Sequence, residues 1–529
     1  MTWSGPARHS VNRLVRDAAE ECGDRPFLDF GGDSWTYSRV DTEVTRLARG
    51  LSELGVGRGD RVVTMLGNGP DAVVAWFAAN RLGAVNVPIN TAYRGEFLRH
   101  PAADSGARVL IAEADHLDRL ELIVDGVPDL RFVLVRGSIT TTVGGVHVSP
   151  LDSHRLDSGP VPFVDVSPRD LAALIYTSGT TGPSKGCMCS HNYLVDQGHR
   201  LGELSRRGPE DIVWTPLPLF HIFAIATVLN AAELRSTASI SERFSVSGFW
   251  DEVERTGATV VNLLGSMGTM LVNVPDTDAS RRCHGQVRAV VAIPFPPALR
   301  KAWRERFGVR YAGANLYGQT EAGSMISSPV DLDVPDGSCG RRNDTLEVRV
   351  FDEDDGECPP GVPGEIVVRP MKPHVMFDGY WNRPGESFEL AGNYWHHTGD
   401  LGMFDEDGFF YFVDRKKDYI RRRGENISSF EVEVALTAHD EVDEVAVVGV
   451  VSDLTEDDVK AVVVRAPGSS LTAGELLDWA GDRVPVFALP RYVEFRSELP
   501  KNAVGRVLKY RLREDGVPPG TWDRDRTRG

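Results

Sequence analysis

Cysteine is scarce in this chain, with six among 529 residues. Cys22, Cys187, Cys189, Cys283, Cys339 and Cys358 fall short of a disulfide scaffold, and no second Cys or His pair completes zinc-ligand spacing around Cys187 and Cys189. Reduced thiols and a cytoplasmic setting are expected. Long apolar runs are missing too: no stretch of about 18 residues is apolar and uncharged. The start, MTWSGPARHSVNRLVRDAAEE, turns into a charged amphipathic helix where a signal peptide needs an apolar centre. Neither export nor membrane spanning is expected. Positive charge is in deficit, since 58 Lys and Arg against 76 Asp and Glu leave a formal charge of −18. Nucleic acid and anionic membrane are therefore disfavoured as partners, and an anionic ligand must meet a locally basic site. Internal repeats and low-complexity segments are lacking as well.

What is present is a long alternation of elements. A chain of this length, 41% hydrophobic, buries roughly three-quarters of its unfolded surface and divides into domains. Helix-like 42–54 and 70–83 alternate with strand-like 60–66, 84–89 and 107–112, and the same grammar recurs at 170–178, 191–204 and 258–264. Apolar strands interleaved with helices predict parallel sheets covered on both faces, here as two layered α/β subdomains. From about 330 the texture changes to short strands and turns at 345–356, 364–370 and 408–414, which predicts a β-rich subdomain. A charged run over 414–426 precedes a helix-like 429–439 and strand-like 445–452 and 460–466. The expected fold class is thus α/β. A large N-terminal domain (1–413) holds the two α/β subdomains and the β subdomain, a hinge covers 414–418, and a small mobile α+β C-terminal domain follows over 419–517. The polar tail 518–529 is expected to be mobile.

The densest chemistry lies at Tyr176-Thr177-Ser178-Gly179-Thr180-Thr181-Gly182-Pro183-Ser184-Lys185-Gly186, directly after the apolar run LAALI. Glycines let backbone N–H groups close on phosphate oxygens, Ser and Thr hydroxyls add donors, and a lysine supplies a point charge. The spacing is not that of a Walker A loop. Composition alone also fits an ordinary surface turn, but the order over eleven positions resembles the phosphate-binding loop of the superfamily of acyl-CoA synthetases, peptide-synthetase adenylation domains and luciferases. Further matches follow in that family's order: Pro218-Leu219-Phe220-His221, Tyr317-Gly318-Gln319-Thr320-Glu321, Gly337-Ser338-Cys339-Gly340-Arg341, Trp395-His396-His397-Thr398-Gly399-Asp400, Asp414-Arg415-Lys416-Lys417-Asp418, Gly424-Glu425-Asn426-Ile427 and Leu499-Pro500-Lys501. The pattern is closest to acid–CoA ligases.

The resemblance implies an ATP-dependent enzyme that joins a small acid to AMP, with Mg²⁺ as cofactor and CoA as co-substrate. It assigns Thr177, Ser178, Gly179, Thr180, Thr181, Gly182 and Lys185 to the phosphates. Tyr317, with Gly318 and Gln319, goes to the adenine, Thr320 to the α-phosphate and Glu321 to the metal, roles that suit an aromatic beside glycine, a hydroxyl and a carboxylate. Alone, this segment would be a turn with a surface glutamate. Asp400 and Arg415 are implied to hold the ribose, where either alone would be a turn aspartate or a solvated charge. Lys417 takes the hinge position about which the C-terminal domain rotates between half-reactions. His221, in an apolar stretch where a histidine is ordinarily part of the core, is implied to gate the acid pocket, lined from Phe223, Ala224, Gly265, Ser266, Met267 and the loop before Tyr317. The Gly424 loop borders a pantetheine channel, and Arg421, Arg422 and Arg423 are either a solvated face or partners of a CoA phosphate.

Two positions depart from the family pattern. In Pro500-Lys501-Asn502-Ala503-Val504-Gly505-Arg506, arginine stands where the catalytic lysine normally follows glycine, and a planar bidentate guanidinium does not simply replace a compact ammonium. Ala292-Ile293-Pro294-Phe295 replaces a Gly-Gly-Ala-Pro type loop that places Ile293 and Pro294 at the adenine, and its bulk is expected to narrow the site. These departures suggest a specialised biosynthetic role and leave three readings: an acid–CoA ligase; an adenylating enzyme with another acid or acceptor, such as a diazotase-like enzyme that passes nitrite to an arylamine; and a nucleotide-binding pseudo-enzyme, against which Lys185, Glu321 and Asp400 argue.

Overall fold

Runs of Val, Ile, Leu and Ala buried on both faces form the central strands, and most crossovers between parallel strands carry a helix. The computed structural model describes residues 10–139, 141–177, 183–293, 295–415, 419–422, 424–452, 456–501 and 507–526. One seven-stranded sheet runs, in spatial order, His147–Pro150, Phe132–Arg136, Val109–Glu113, Arg61–Met65, Val85–Pro88, Leu171–Thr177 and Lys185–Ser190. All pairs in it are parallel except the last, where Leu171–Thr177 and Lys185–Ser190 form an antiparallel hairpin. The second seven-stranded sheet runs Tyr311–Ala312, Ala289–Ile293, Val260–Leu264, Ile212–Thr215, Thr237–Ile240, Pro26–Phe30 and Asp33–Thr36, again parallel apart from the final hairpin. Helix Pro70–Arg81 begins with proline at its first turn and is buried over almost its whole length, because it packs between the two layers rather than against solvent.

The β-rich part begins earlier than the composition suggests. Its first strand is Asn315–Gln319, which with Gly323–Ser328 and Arg341–Arg342 makes a three-stranded antiparallel sheet. A four-stranded antiparallel sheet follows, Leu346–Phe351, Gly364–Pro370, His396–Phe404 and Phe410–Arg415. The C-terminal part carries the hairpin Tyr419–Arg422/Glu425–Ser428 and a second four-stranded sheet ordered Val442–Val451, Asp457–Arg465, Tyr492–Arg496 and Trp522–Asp523. The chain is therefore a mixed α/β protein with a large N-terminal and a small C-terminal domain.

The polar tail differs from expectation as far as Arg526. Trp522–Asp523 adds an antiparallel edge to Tyr492–Arg496, and Asp523 is held by Arg491 at 3.3 Å. A charged composition reads as solvated, yet here Asp523 and Asp525 are paired with Arg491, the residue just before the neighbouring strand. Arg422 is likewise structural. Its guanidinium is buried, donates to the Phe487 and Leu489 carbonyls (both 3.1 Å) and pairs with Asp458 at 3.0 Å, which withdraws it from any CoA phosphate.

Lys460, in the middle of Asp457–Arg465, is fully buried; its ammonium donates to Gly516 O (2.6 Å) and lies 2.7 Å from Glu494 Oε2. Removing one partner of such a pair leaves the other charge buried and unmatched, so Lys460→Ala is expected to cost about 3 kcal/mol. Thermal unfolding of the C-terminal domain checks this; an unchanged transition would mean that water compensates Glu494.

Candidate active site

Thr177 and Lys185 are register partners at the mouth of the hairpin whose connection is the hydroxyl- and glycine-rich loop. Ser178, Gly179, Thr180, Thr181 and Gly182 themselves lie outside the described residues, as do Pro294, Lys417 and Arg506. Opposite the hairpin stands Glu321, at the turn after strand Asn315–Gln319. Its Oε1 accepts from the Thr177 hydroxyl at 3.2 Å and from the Tyr380 hydroxyl at 2.8 Å. The backbone on either side is pinned: Tyr193 OH donates to Thr320 O at 2.7 Å, and Phe377 N–H donates to Glu321 O at 2.9 Å. One carboxylate is thus aimed at the loop. Burial pushes His396 nearby down to about 4, so at neutral pH it adds no cation beside Glu321. Lys185 forms an ion pair with Glu386, whose carboxyl that pairing holds below the usual range.

The second half of the site is built where Asn315–Gln319 meets His396–Phe404. Gln319 Nε2 donates to Asp400 Oδ2 at 2.8 Å and to Thr398 O at 3.0 Å, and Tyr317 OH donates to the same Asp400 oxygen at 2.7 Å. Asp400 is buried and sits in register with Arg415 on the adjacent strand. The Tyr317 ring is tilted by 35° on Phe410 and 31° on Phe412, which leaves it presented as part of an aromatic wall. Gly318 is required here: a Cβ would press into the Gly323 carbonyl across the strand pair, at the irregularity that follows Tyr317. The sequence-derived set Tyr317, Gly318, Gln319, Thr320, Glu321 and Asp400 is therefore brought together with Thr177 and Lys185.

His221 is not a core histidine. It precedes helix Ile222–Leu234, its side chain is 41% exposed, and its Nε2 lies 3.1 Å from Glu425 Oε1, a residue of the C-terminal hairpin. Asn90 Nδ2 reaches the same Glu425 oxygen at 3.2 Å. Gly424, at φ +80°, packs so tightly on Leu264 that a side chain there would collide with it. Since Leu264 immediately precedes Gly265 and Ser266, the hairpin tip is seated at the expected pocket wall. Ile293 ends its strand beside Leu264 in register.

The bulky Phe295 does not narrow the pocket as expected. It is buried in the core with Trp303 (ring centroids 6.0 Å apart), its ring wedged against Gly268 and Gly313. Those two glycines make the room that turns the ring away from the site. The other basic residues near Arg506 are committed within the C-terminal domain: Lys501 to Glu444, and Lys509 to Glu433 (2.6 Å) and Ser429 Oγ (2.7 Å).

Sequence reasoning missed Tyr380, Glu386 and Arg300. Arg300, half-buried, donates to Phe295 O (2.7 Å), Ala314 O (3.2 Å) and Asn315 Oδ1 (2.7 Å), tying together the two segments that enter the site. The aromatic, polar run Gly379-Tyr380-Trp381-Asn382-Arg383 was the available signal for the first two. Nothing local marks Arg300.

Comparison with known proteins extends over nearly the whole chain. A family model described as AMP-binding enzyme matches residues 15–381, and one described as AMP-binding enzyme C-terminal domain matches residues 431–506. The crotonobetaine/carnitine–CoA ligase of Salmonella arizonae is 30% identical over 486 residues, which is 90% of this chain and 93% of that protein. The long-chain-fatty-acid–CoA ligase of Escherichia coli O6:H1 is 32% identical over 548 residues, 97% of this chain and 96% of that one. Among solved structures, the amide bond synthetase of Marinactinospora thermotolerans superposes with a TM-score of 0.83 at 26% identity, covering 96% of this chain and 100% of that chain. With one family model matched over residues 15–381 and its C-terminal companion over 431–506, on a fold that faces Glu321 to the hairpin mouth and sets Asp400 beside Tyr317, the chain belongs to the AMP-binding enzyme family.

Proposed function

We propose that this protein is an ATP-dependent acid–CoA ligase: it joins a small carboxylic acid to AMP, releases pyrophosphate, and passes the acyl group to CoA as a thioester. The observation that carries the reading is the placement of two carboxylates with separate duties around strand Asn315–Gln319: Glu321, at the turn after it, facing the phosphate-loop hairpin, and Asp400, on strand His396–Phe404, beside the aromatic wall of Tyr317. In the first step an oxygen of the acid attacks the α-phosphorus, and the bond from that phosphorus to the bridging oxygen of pyrophosphate breaks. In the second the CoA sulfur attacks the acyl carbon and AMP leaves with its oxygen. Thr177, Thr320, Lys185 and the loop residues 178–182 bind the phosphates. Tyr317, Gly318, Ile293 and Pro294 border the adenine, and Asp400 with Arg415 takes the ribose hydroxyls.

Glu321 suits Mg²⁺, which keeps several waters and takes one or two carboxylates with phosphate oxygens rather than an all-protein cage. Consistent with that, no group of three or more His, Cys, Asp or Glu side chains among the described residues is arranged to hold a metal. Bound there, the ion would offset charge on the phosphates. Arg506 supplies the catalytic cation, Lys417 the pivot within 414–418, and Gly424 the wall of the pantetheine channel, with the C-terminal domain over 419–517 acting as the moving part. An amine in place of CoA is the second reading, supported by the amide bond synthetase likeness.

Pyrophosphate release with purified protein, ATP, Mg²⁺ and a panel of carboxylic acids plus nitrite separates the possibilities. AMP formed in step with CoA consumption is the expected result; amide or arylamine-dependent products would move the acceptor, and tight ATP binding with no turnover on any acid would leave only a pseudo-enzyme. Glu321→Ala and Asp400→Ala should each lower AMP formation by at least about 100-fold, the scale of losing a positioned electrostatic group; near-normal activity in either would remove that residue from the site. Arg506→Ala should slow adenylation by at least about tenfold, because Lys501 and Lys509 are engaged elsewhere. An unchanged rate would show that one of them leaves its partner to act.

A further inference from the structure

The segment Ser428-x-x-Glu431 at the start of helix Ser429–Thr437 has the spacing of a capping box, in which the third helical residue returns its carboxylate to the N-cap N–H. That box closes on both sides at Thr472 and Glu475. At Ser428 only half of it is made. Ser428 Oγ accepts from Glu431 N–H at 3.3 Å, while the Glu431 carboxylate reaches into the N-terminal domain and accepts the Ser184 N–H at 2.9 Å. Ser184 is buried and directly precedes Lys185 at the end of the phosphate-loop segment.

The other side of the same residue is also taken. His100 Nε2 lies 2.8 Å from Ser184 O. His100 belongs to helix Gly95–Asp104, one turn beyond Phe97. Phe97 is buried in the apolar cluster formed by Ile420, Ile427, Val432 and Leu436, which are C-terminal-domain residues. At the start of that helix, Gly95 abuts the Arg483 backbone. The C-terminal domain thus touches Ser184 directly through Glu431 and indirectly through the helix it packs upon. Burial pushes the Glu431 carboxyl up to about 7, opposed by the Ser184 N–H and hydroxyl and reinforced by the neighbouring Glu96 charge.

We propose that Glu431 and His100 are positioning residues that clamp the two backbone polar groups of Ser184, so that docking of the C-terminal domain sets the conformation of the phosphate loop. The coupling is physical: the Glu431–Ser184 hydrogen bond exists only while the domain is docked, and the helix that carries His100 packs on that domain through Phe97. Only the consequence for ATP rests on the function proposed above; the clamp itself does not.

Amide hydrogen exchange on the full-length protein, read at the Ser184 amide, tests it. Glu431→Ala is expected to speed that exchange by at least about tenfold while the strand Val442–Val451 keeps its protection. Glu431→Gln, whose side-chain oxygen still accepts, should stay within about threefold of wild type. His100→Ala, in the other domain and so independent of how the C-terminal domain folds, should speed the same amide. Unchanged exchange in Glu431→Ala, or equal acceleration in the Ala and Gln variants, would overturn the clamp. Calorimetry with ATP and Mg²⁺ alone then reads the consequence: Glu431→Ala should shift the ATP Kd by at least about threefold, and an unshifted Kd would overturn the coupling to the loop. Wild type that binds no ATP would sink the ligase reading while leaving the exchange result standing.

Discussion

The proposed reaction brings a carboxylate up to a polyphosphate, setting two anions against each other, in a protein whose formal charge is −18. The repulsion has to be answered locally, by fixed donors rather than by the protein's overall field. Much of the site's arrangement follows. Thr177 and Lys185 stand at the hairpin mouth, and Glu321 is the carboxylate turned toward it, where the proposed Mg²⁺ would give an anion its use. Elsewhere in the site negative charge is sequestered: Asp400 Oδ2 already takes two donors, and Glu386 is paired with Lys185.

That last pairing bears on how the loop works. Lys185 Nζ sits over the Tyr380 ring, 5.1 Å from its centroid, and in contact with Glu386, so the ammonium is preorganised rather than waving in solvent. A lysine held this way would lose less side-chain entropy on meeting the phosphate proposed for it, at the expense of a partner it must share. Tyr380 serves twice, since its hydroxyl also donates to Glu321. One side chain therefore keeps the Lys185 cation and the Glu321 carboxylate in a fixed relation.

Much of this was legible in the sequence because it is local. A glycine- and hydroxyl-rich turn after an apolar strand, an aromatic-glycine step ending in glutamate, and a Thr-Gly-Asp turn each state their chemistry within a few residues, and their order limits the fold. What stayed hidden depends on partners distant in the chain. Phe295 reads as bulk beside a pocket, but which way its ring turns is decided by Gly268 and Gly313. Arg422 reads as surface charge until Asp458 and two carbonyls claim it. The tail reads as solvated until Asp523 meets Arg491. In each case composition gave the right polarity and the wrong surroundings, since burial of a charge is set by pairing and not by type.

The contacts between the two domains explain how a C-terminal domain proposed to move can still be positioned accurately. They are mostly hydrogen bonds to single groups, Glu425 to Asn90 and His221 and Glu431 to Ser184, with a small apolar anchor from Tyr93 and Phe97. Hydrogen bonds of this kind define geometry closely yet exchange for water at little net free energy. An apolar interface large enough to hold the domains together would fix them permanently, whereas polar contacts around a modest anchor leave relative motion as the default. The glycine at 424 fits the same logic. With no side chain it lets the hairpin backbone seat against Leu264 without interdigitating, so withdrawal needs no repacking of the core behind it.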